Sequence, residues 1–137
     1  MQTFLPYSDF KASAKVLDNK RLGKQRVEVL QILKALTEEE YGWKNHPATK
    51  MWKGYERALA KYGIVVCEEW ISRGFKDTCL PKIASYLGKG RIAYPPWLGN
   101  KRFHTSHKSN LVSKYPEYYR KFWPKLSDKL PYVWPVS

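Results

Sequence analysis

The stretch Asn19-Lys-Arg-Leu-Gly-Lys-Gln-Arg-Val-Glu28-Val-Leu-Gln-Ile-Leu-Lys-Ala-Leu36 carries an apolar stripe at helical spacing. Leu22, Val29, Leu33 and Leu36 recur at intervals of 7, 4 and 3, with Leu30 and Ile32 on the flanks, the period of a helix with one buried face. Arg21, Lys24, Glu28 and Gln31 then fall on an adjoining polar face. Glu28 is the only acid between Asn19 and Thr37. A lone carboxylate in a basic helix serves as a general acid/base or charge stabiliser beside a bound polyanion, or as an ordinary ion-pair partner of Lys24 or Arg21. Composition and spacing leave both readings open.

Outward from this stretch, the first helical segment runs from Ser8, a good N-cap residue, to about Glu40, with a break near Asn19 or Gly23. A second starts near Asn45-His46-Pro47 and ends at Gly74, with Trp52, Tyr55, Leu59, Val66 and Trp70 as its apolar stripe. Within it Gly54 and Gly63 lower helix propensity and permit close helix packing, with a helix break near Gly63 as the competing reading. Leu80 to Phe103 holds Gly88, Gly90, Pro95, Pro96 and Gly99, so regular structure is not expected over most of it. A third helix can start at Thr105 and run to Tyr115, where Pro116 breaks or restarts it. These segments predict an all-α fold, one bundle of about three main helices with long Pro/Gly-rich ordered loops, spanning 1–137 as a single domain.

Twenty-five Lys and Arg against 12 acids give a formal net charge of +13 and a pI near 9.8, which favours a polyanionic partner, nucleic acid first. The cations gather in Lys11 to Arg26 and in Lys101 to Lys129. If the two groups converge in space, they form a phosphate-binding surface. The tail Tyr118-Tyr119-Arg-Lys-Phe-Trp123 is read equally as core packing and as a stacking platform for bases. No helix-turn-helix, zinc-finger or RNA-recognition signature appears, and no Gly-rich phosphate loop. Cys67 and Cys79 are too few for a disulfide scaffold and fit a reducing compartment, both as packing residues. No signal peptide or membrane-length apolar run is present, so a cytoplasmic, nucleoid-associated protein without membrane contact is expected. His104 and His107, three apart, invite a metal, but no Cys or carboxylate stands at supporting spacing. A phosphate or backbone contact is the better reading of both, and no metal is expected.

The run from Asn19 to Glu28 resembles the first-helix motif of the pyrimidine-dimer DNA glycosylases, the endonuclease V-like family. The resemblance continues through Cys67-Glu-Glu-Trp-Ile-Ser-Arg-Gly-Phe75 and, more weakly, into the helix led by His107 and the aromatic-basic tail. It implies a mainly helical protein acting without a cofactor on damaged or modified pyrimidines in double-stranded DNA, as a monomer. Members use the α-amine of the chain terminus as nucleophile and a first-helix Glu as the essential carboxylate, which implies Met1 and Glu28 as the catalytic pair. Such an amine has an ordinary pKa of about 7.7–8.0, so a neutral fraction exists at physiological pH without deep burial. The implied chemistry is base excision through a Schiff base, followed by abasic-site lyase cleavage. The expected DNA contacts are Gln2, Thr3, Lys20, Arg21, Lys24, Arg26, His104, His107, Lys108, Lys114, Arg120 and Lys121. Arg21 stands where the family has a His and Val27 where it has an Arg. A non-catalytic DNA-binding module of the same fold, or a glycosylase for another modified base, are the alternatives.

Overall fold

The structure, a computed structural model, describes residues 2–39, 42 and 44–135; Met1, Glu40, Tyr41, Trp43, Val136 and Ser137 lie outside the described residues. The first predicted segment is two helices, α1 (Phe10–Val16) and α2 (Asn19–Thr37). The break falls at Leu17-Asp18, next to the predicted Asn19. Asp9 and not Ser8 caps α1, its carboxylate accepting from Ala12 N–H at 2.9 Å. Asp18 makes no side-chain cap bond to α2, because its carboxylate accepts instead from the Tyr119 hydroxyl and from Arg21. The carbonyls at the end of α1 are taken up by Arg73, which donates to Leu17 O at 2.7 Å and Lys15 O at 3.0 Å.

The second predicted segment also splits, into α3 (Pro47–Lys50) and α4 (Glu56–Ser72). Gly54 adopts φ +88 between them, a left-handed conformation that ends the first turn of helix. Gly63 does not break α4; it lets α2 and α5 (Leu80–Ala84) approach. A Cβ there would sit 2.6 Å from Val29 Cγ1 and 2.9 Å from Ile83 Cγ2. Leu22, Val29 and Leu33 of the first stripe, Ile32 on its flank, and Trp52, Leu59 and Val66 of the second are fully buried, while Leu36 is partly buried, so the α2–α4 contact is the centre of the core.

The third helix, α6 (Lys101–Lys114), begins four residues before the predicted Thr105. Asn100 caps it, accepting from Phe103 N–H. Pro116 restarts the chain as α7 (Pro116–Tyr119), whose buried Tyr119 ties it to the start of α2. Among the described residues there are seven helices and no strand, so the all-α expectation holds. Among the described residues no helix is long and apolar enough to cross a membrane.

Candidate active site

The first residues of the chain run into the molecule. Thr3, Phe4 and Leu5 are buried, and an extended buried segment must find partners for its backbone groups outside any helix. Three helices supply them. From α2, Gln25 accepts from Phe4 N–H at 2.6 Å and donates to Gln2 C=O at 2.7 Å. From α4, the Tyr62 hydroxyl donates to Phe4 C=O at 2.6 Å and lies 2.9 Å from Gln25 Oε1. From α6, His107 Nδ1 accepts from Leu5 N–H at 2.9 Å, and His104 Nδ1 lies 2.7 Å from Leu5 C=O. Trp52 Nε1–H adds a bond to the Thr3 hydroxyl at 3.0 Å.

At the outer end of this clamp, Gln2 N–H donates to Glu28 Oε2 at 2.7 Å. One turn along α2 from Gln25, Glu28 is the residue that takes up the Gln2 N–H. Burial pushes its carboxyl above the ordinary carboxylate range. The Gln2 N–H, the amino-terminal charge, Lys24 and Lys114 pull the other way without cancelling that shift. A carboxyl held so can be proton donor as well as acceptor nearer neutrality. Lys24 comes from the first basic group of the sequence and Lys114 from the second, so one lysine of each lies near enough to act on the charge of Glu28.

The exposed cations Lys20, Lys24, Lys114 and Lys121 face solvent, and Lys108 is half-buried with its ammonium 4.8 Å from the Tyr7 ring. Arg21 keeps an ion pair with Asp18 at 3.2 Å. Five residues grouped with the DNA contacts are committed to internal bonds instead. Thr3 is buried under Trp52. Arg26 points away from Glu28, because residues two apart on a helix project to opposite sides, and it pairs with the buried Asp77 while its guanidinium lies 4.6 Å from the Trp70 ring. Burial alone would raise the Asp77 carboxyl, yet Arg26 and the N–H groups of Leu80 and Cys79 hold it below its ordinary value. Arg120 donates to the carbonyls of Trp123, Pro124 and Leu126, fastening the turn after α7. His104 and His107 grip the backbone, the second of the two readings open to them. Burial lowers the pKa of both, His107 to about 3, so they are neutral and make no charge contact with phosphate. Met1 lies outside the described residues.

Sequence reading missed Gln25, Tyr62 and Trp52. Gln25, three residues after Leu22 and four before Val29, stands as a polar residue on the apolar stripe, the signal that could have found it; Trp52 read as part of the second apolar stripe, and Tyr62 drew no reading. The tail divides between the two readings offered for it: Tyr119 is buried and Trp123 half-buried, whereas Phe122 is 46% exposed. A groove of about 880 Å³ lies elsewhere, along α1 and α4, with Lys11, Lys15 and Lys61 facing Asp9, Glu68 and Glu69. Its charges are mixed, and it includes none of the residues that hold Glu28.

This is a helical basic protein whose buried segment from residue 3 to 5 sets the Gln2 N–H on a half-buried carboxylate. Residues 1–82 match the family model described as pyrimidine dimer DNA glycosylase, and with more than half of the 137 residues matched the chain belongs to that family. It is thus a DNA repair glycosylase by family, with DNA as its substrate. No curated protein and no solved structure matches it.

Proposed function

We propose that the protein excises damaged or modified pyrimidines from double-stranded DNA and nicks the resulting abasic site, using the α-amine of residue 1 as nucleophile and Glu28 as its carboxylate. The observation that carries this reading is the Gln2 N–H bond to Glu28 Oε2 at 2.7 Å. Covalent geometry holds the amine of residue 1 within about 3.6 Å of Gln2 N, hence within about 6 Å of that oxygen, a direct contact or one bridging water away.

In the proposed reaction the neutral amine attacks C1′ as the C1′–N bond to the base breaks, and the base leaves with the electron pair and takes up a proton. Opening of the C1′–O4′ bond gives the protonated Schiff base. Loss of the C2′ proton to a base then expels the 3′ phosphate, breaking C3′–O and nicking the strand. Glu28 faces each positive charge that develops at C1′, and its raised proton affinity suits it to deliver a proton at ring opening and accept one from C2′. Lys24 and Lys114, flanking the carboxylate, would hold the phosphates on either side of the sugar. A lesion is cheaper to unstack than an intact pair, which favours damaged sites.

Glu28→Gln tests the reading. The amide oxygen still accepts from Gln2 N–H, so folding and DNA affinity should be retained while cleavage of ultraviolet-irradiated and abasic duplexes is abolished. A Glu28→Gln protein that cleaves at the wild-type rate would sink the proposal; one that fails to fold would make Glu28 a structural residue.

A further inference from the structure

His104 and His107 hold the two backbone groups of Leu5 in opposite tautomers. Gly99 N–H donates to His104 Nε2 at 2.8 Å, so the proton of that ring sits on Nδ1 and is given to Leu5 C=O. Leu5 N–H donates to His107 Nδ1, so the His107 proton sits on Nε2. That second nitrogen is buried without a partner among the described residues, a cost an apolar side chain would not bear. What His107 supplies in return is one acceptor atom, Nδ1, aimed at Leu5. The Tyr132 ring covers its imidazole at 4.8 Å between centroids, with Trp134 stacked on Tyr132 at 4.8 Å. Two serines of α6 hold this tail in place, Ser109 Oγ accepting from Leu130 N–H at 3.1 Å and Ser106 Oγ from Val133 N–H at 3.3 Å. Burial under these rings keeps the imidazole neutral and therefore able to accept. Apart from Leu5, all of these residues lie beyond residue 82, outside the part of the chain matched to the family.

We propose that His107 is a positioning residue for the reaction at Glu28: its Nδ1 fixes the register of the amino-terminal segment that leads back to residue 1, and the tail from Leu130 to Trp134 keeps that nitrogen dry. The inference rests on the amine reading above. An extended segment that slips by one residue moves its end by about 3.3 Å, and misplacement of a reacting group by about 1 Å already costs on the order of a hundredfold in rate.

The test compares His107→Asn, whose amide oxygen can stand where Nδ1 stands, with His107→Leu, which fills the space and accepts nothing. Borohydride trapping on an abasic duplex is timed for each, with DNA affinity and the unfolding transition as controls, and exchange of the Leu5 amide is followed in the free protein. His107→Leu should lose on the order of a hundredfold in trapping rate, with DNA affinity little changed and Leu5 N–H exchanging freely. His107→Asn should recover most of the rate and the protection. A folded His107→Leu protein that traps at the wild-type rate, or an Asn variant as slow as Leu, overturns the proposal. Should the wild-type protein form no adduct, the amine reading fails, and Leu5 exchange still decides the role of His107: equal protection in all three proteins overturns it.

Discussion

Replacing Gln25 by Met removes the centre of the amino-terminal clamp at nearly constant volume. Gln25 is 0% exposed and makes three of the clamp's bonds, to Phe4 N–H, Gln2 C=O and the Tyr62 hydroxyl. Met fills the space of the side chain, so little cavity cost is expected. Tyr62 keeps Phe4 C=O, but the buried Phe4 N–H is left without a partner, and the part-buried Gln2 C=O loses its own. At about 1–3 kcal/mol for an orphaned buried group, Phe4 N–H sets a loss of about 1–3 kcal/mol to which Gln2 adds less, with undocking of residues 2–5 as its ceiling. That is a large share of the roughly 5–15 kcal/mol a domain has in hand. Denaturant titration should show a lower midpoint at unchanged slope. Trapping on an abasic duplex should fall further than the folded fraction does, since the segment that bears residue 1 has lost its register. A stability loss under about 0.5 kcal/mol together with a Phe4 amide still protected from exchange would refute the reasoning.

Two further outcomes follow from the same geometry. Arg26→Ala strips the guanidinium from Asp77, whose side chain is 1% exposed and keeps the N–H groups of Leu80 and Cys79, so the cost should approach the roughly 3–5 kcal/mol of a broken buried pair without exceeding it; DNA affinity at equal folded fraction should stay near wild type, and a selective loss of affinity would return Arg26 to the DNA surface. In acid, His104 and His107 bind protons in the unfolded chain below about pH 6.5, while the folded protein resists until its lowered pKa, about 3 for His107. Stability should therefore be full above pH 6.5 and fall by up to about 1.4 kcal/mol per pH unit per histidine below it. Asp77 adds its loss lower still, as pH falls below the ordinary carboxylate pKa and through its own depressed value. Glu28, with its pKa raised in the fold, offsets part of this just above its ordinary pKa. The His107→Asn protein should show a shallower acid loss in thermal melts across pH 3–6.5; an unchanged slope would contradict the assignment.

Period and punctuation carried the local part of this fold. The spacing of Leu22, Val29 and Leu33 announced the buried face of α2, and the sole carboxylate of that helix marked the site. Asn100 was an available start signal for α6, overlooked because Lys101 and Arg102 read as part of the Gly/Pro-rich loop. The clamp was not legible, because its bonds join residues far apart in sequence: Leu5 to His107 spans 102 positions and Phe4 to Tyr62 spans 58. Helical periodicity reports which face of a helix is buried, not which backbone group waits there. For the same reason the sequence left phosphate and backbone contacts both open for His104 and His107, and gave no partner for Gln25. The partner proposed for Glu28 came from the family motif, and the structure supports it through Gln2.

The central claim is that residue 1 and Glu28 act as a pair. Its most direct measurement is borohydride reduction of the protein on an abasic duplex, followed by proteolysis and mass mapping of the cross-linked peptide. An adduct on the α-amine of residue 1, lost in Glu28→Gln, is the predicted result. An adduct on a lysine side chain, or none at all on a protein that binds the duplex tightly, would contradict the account.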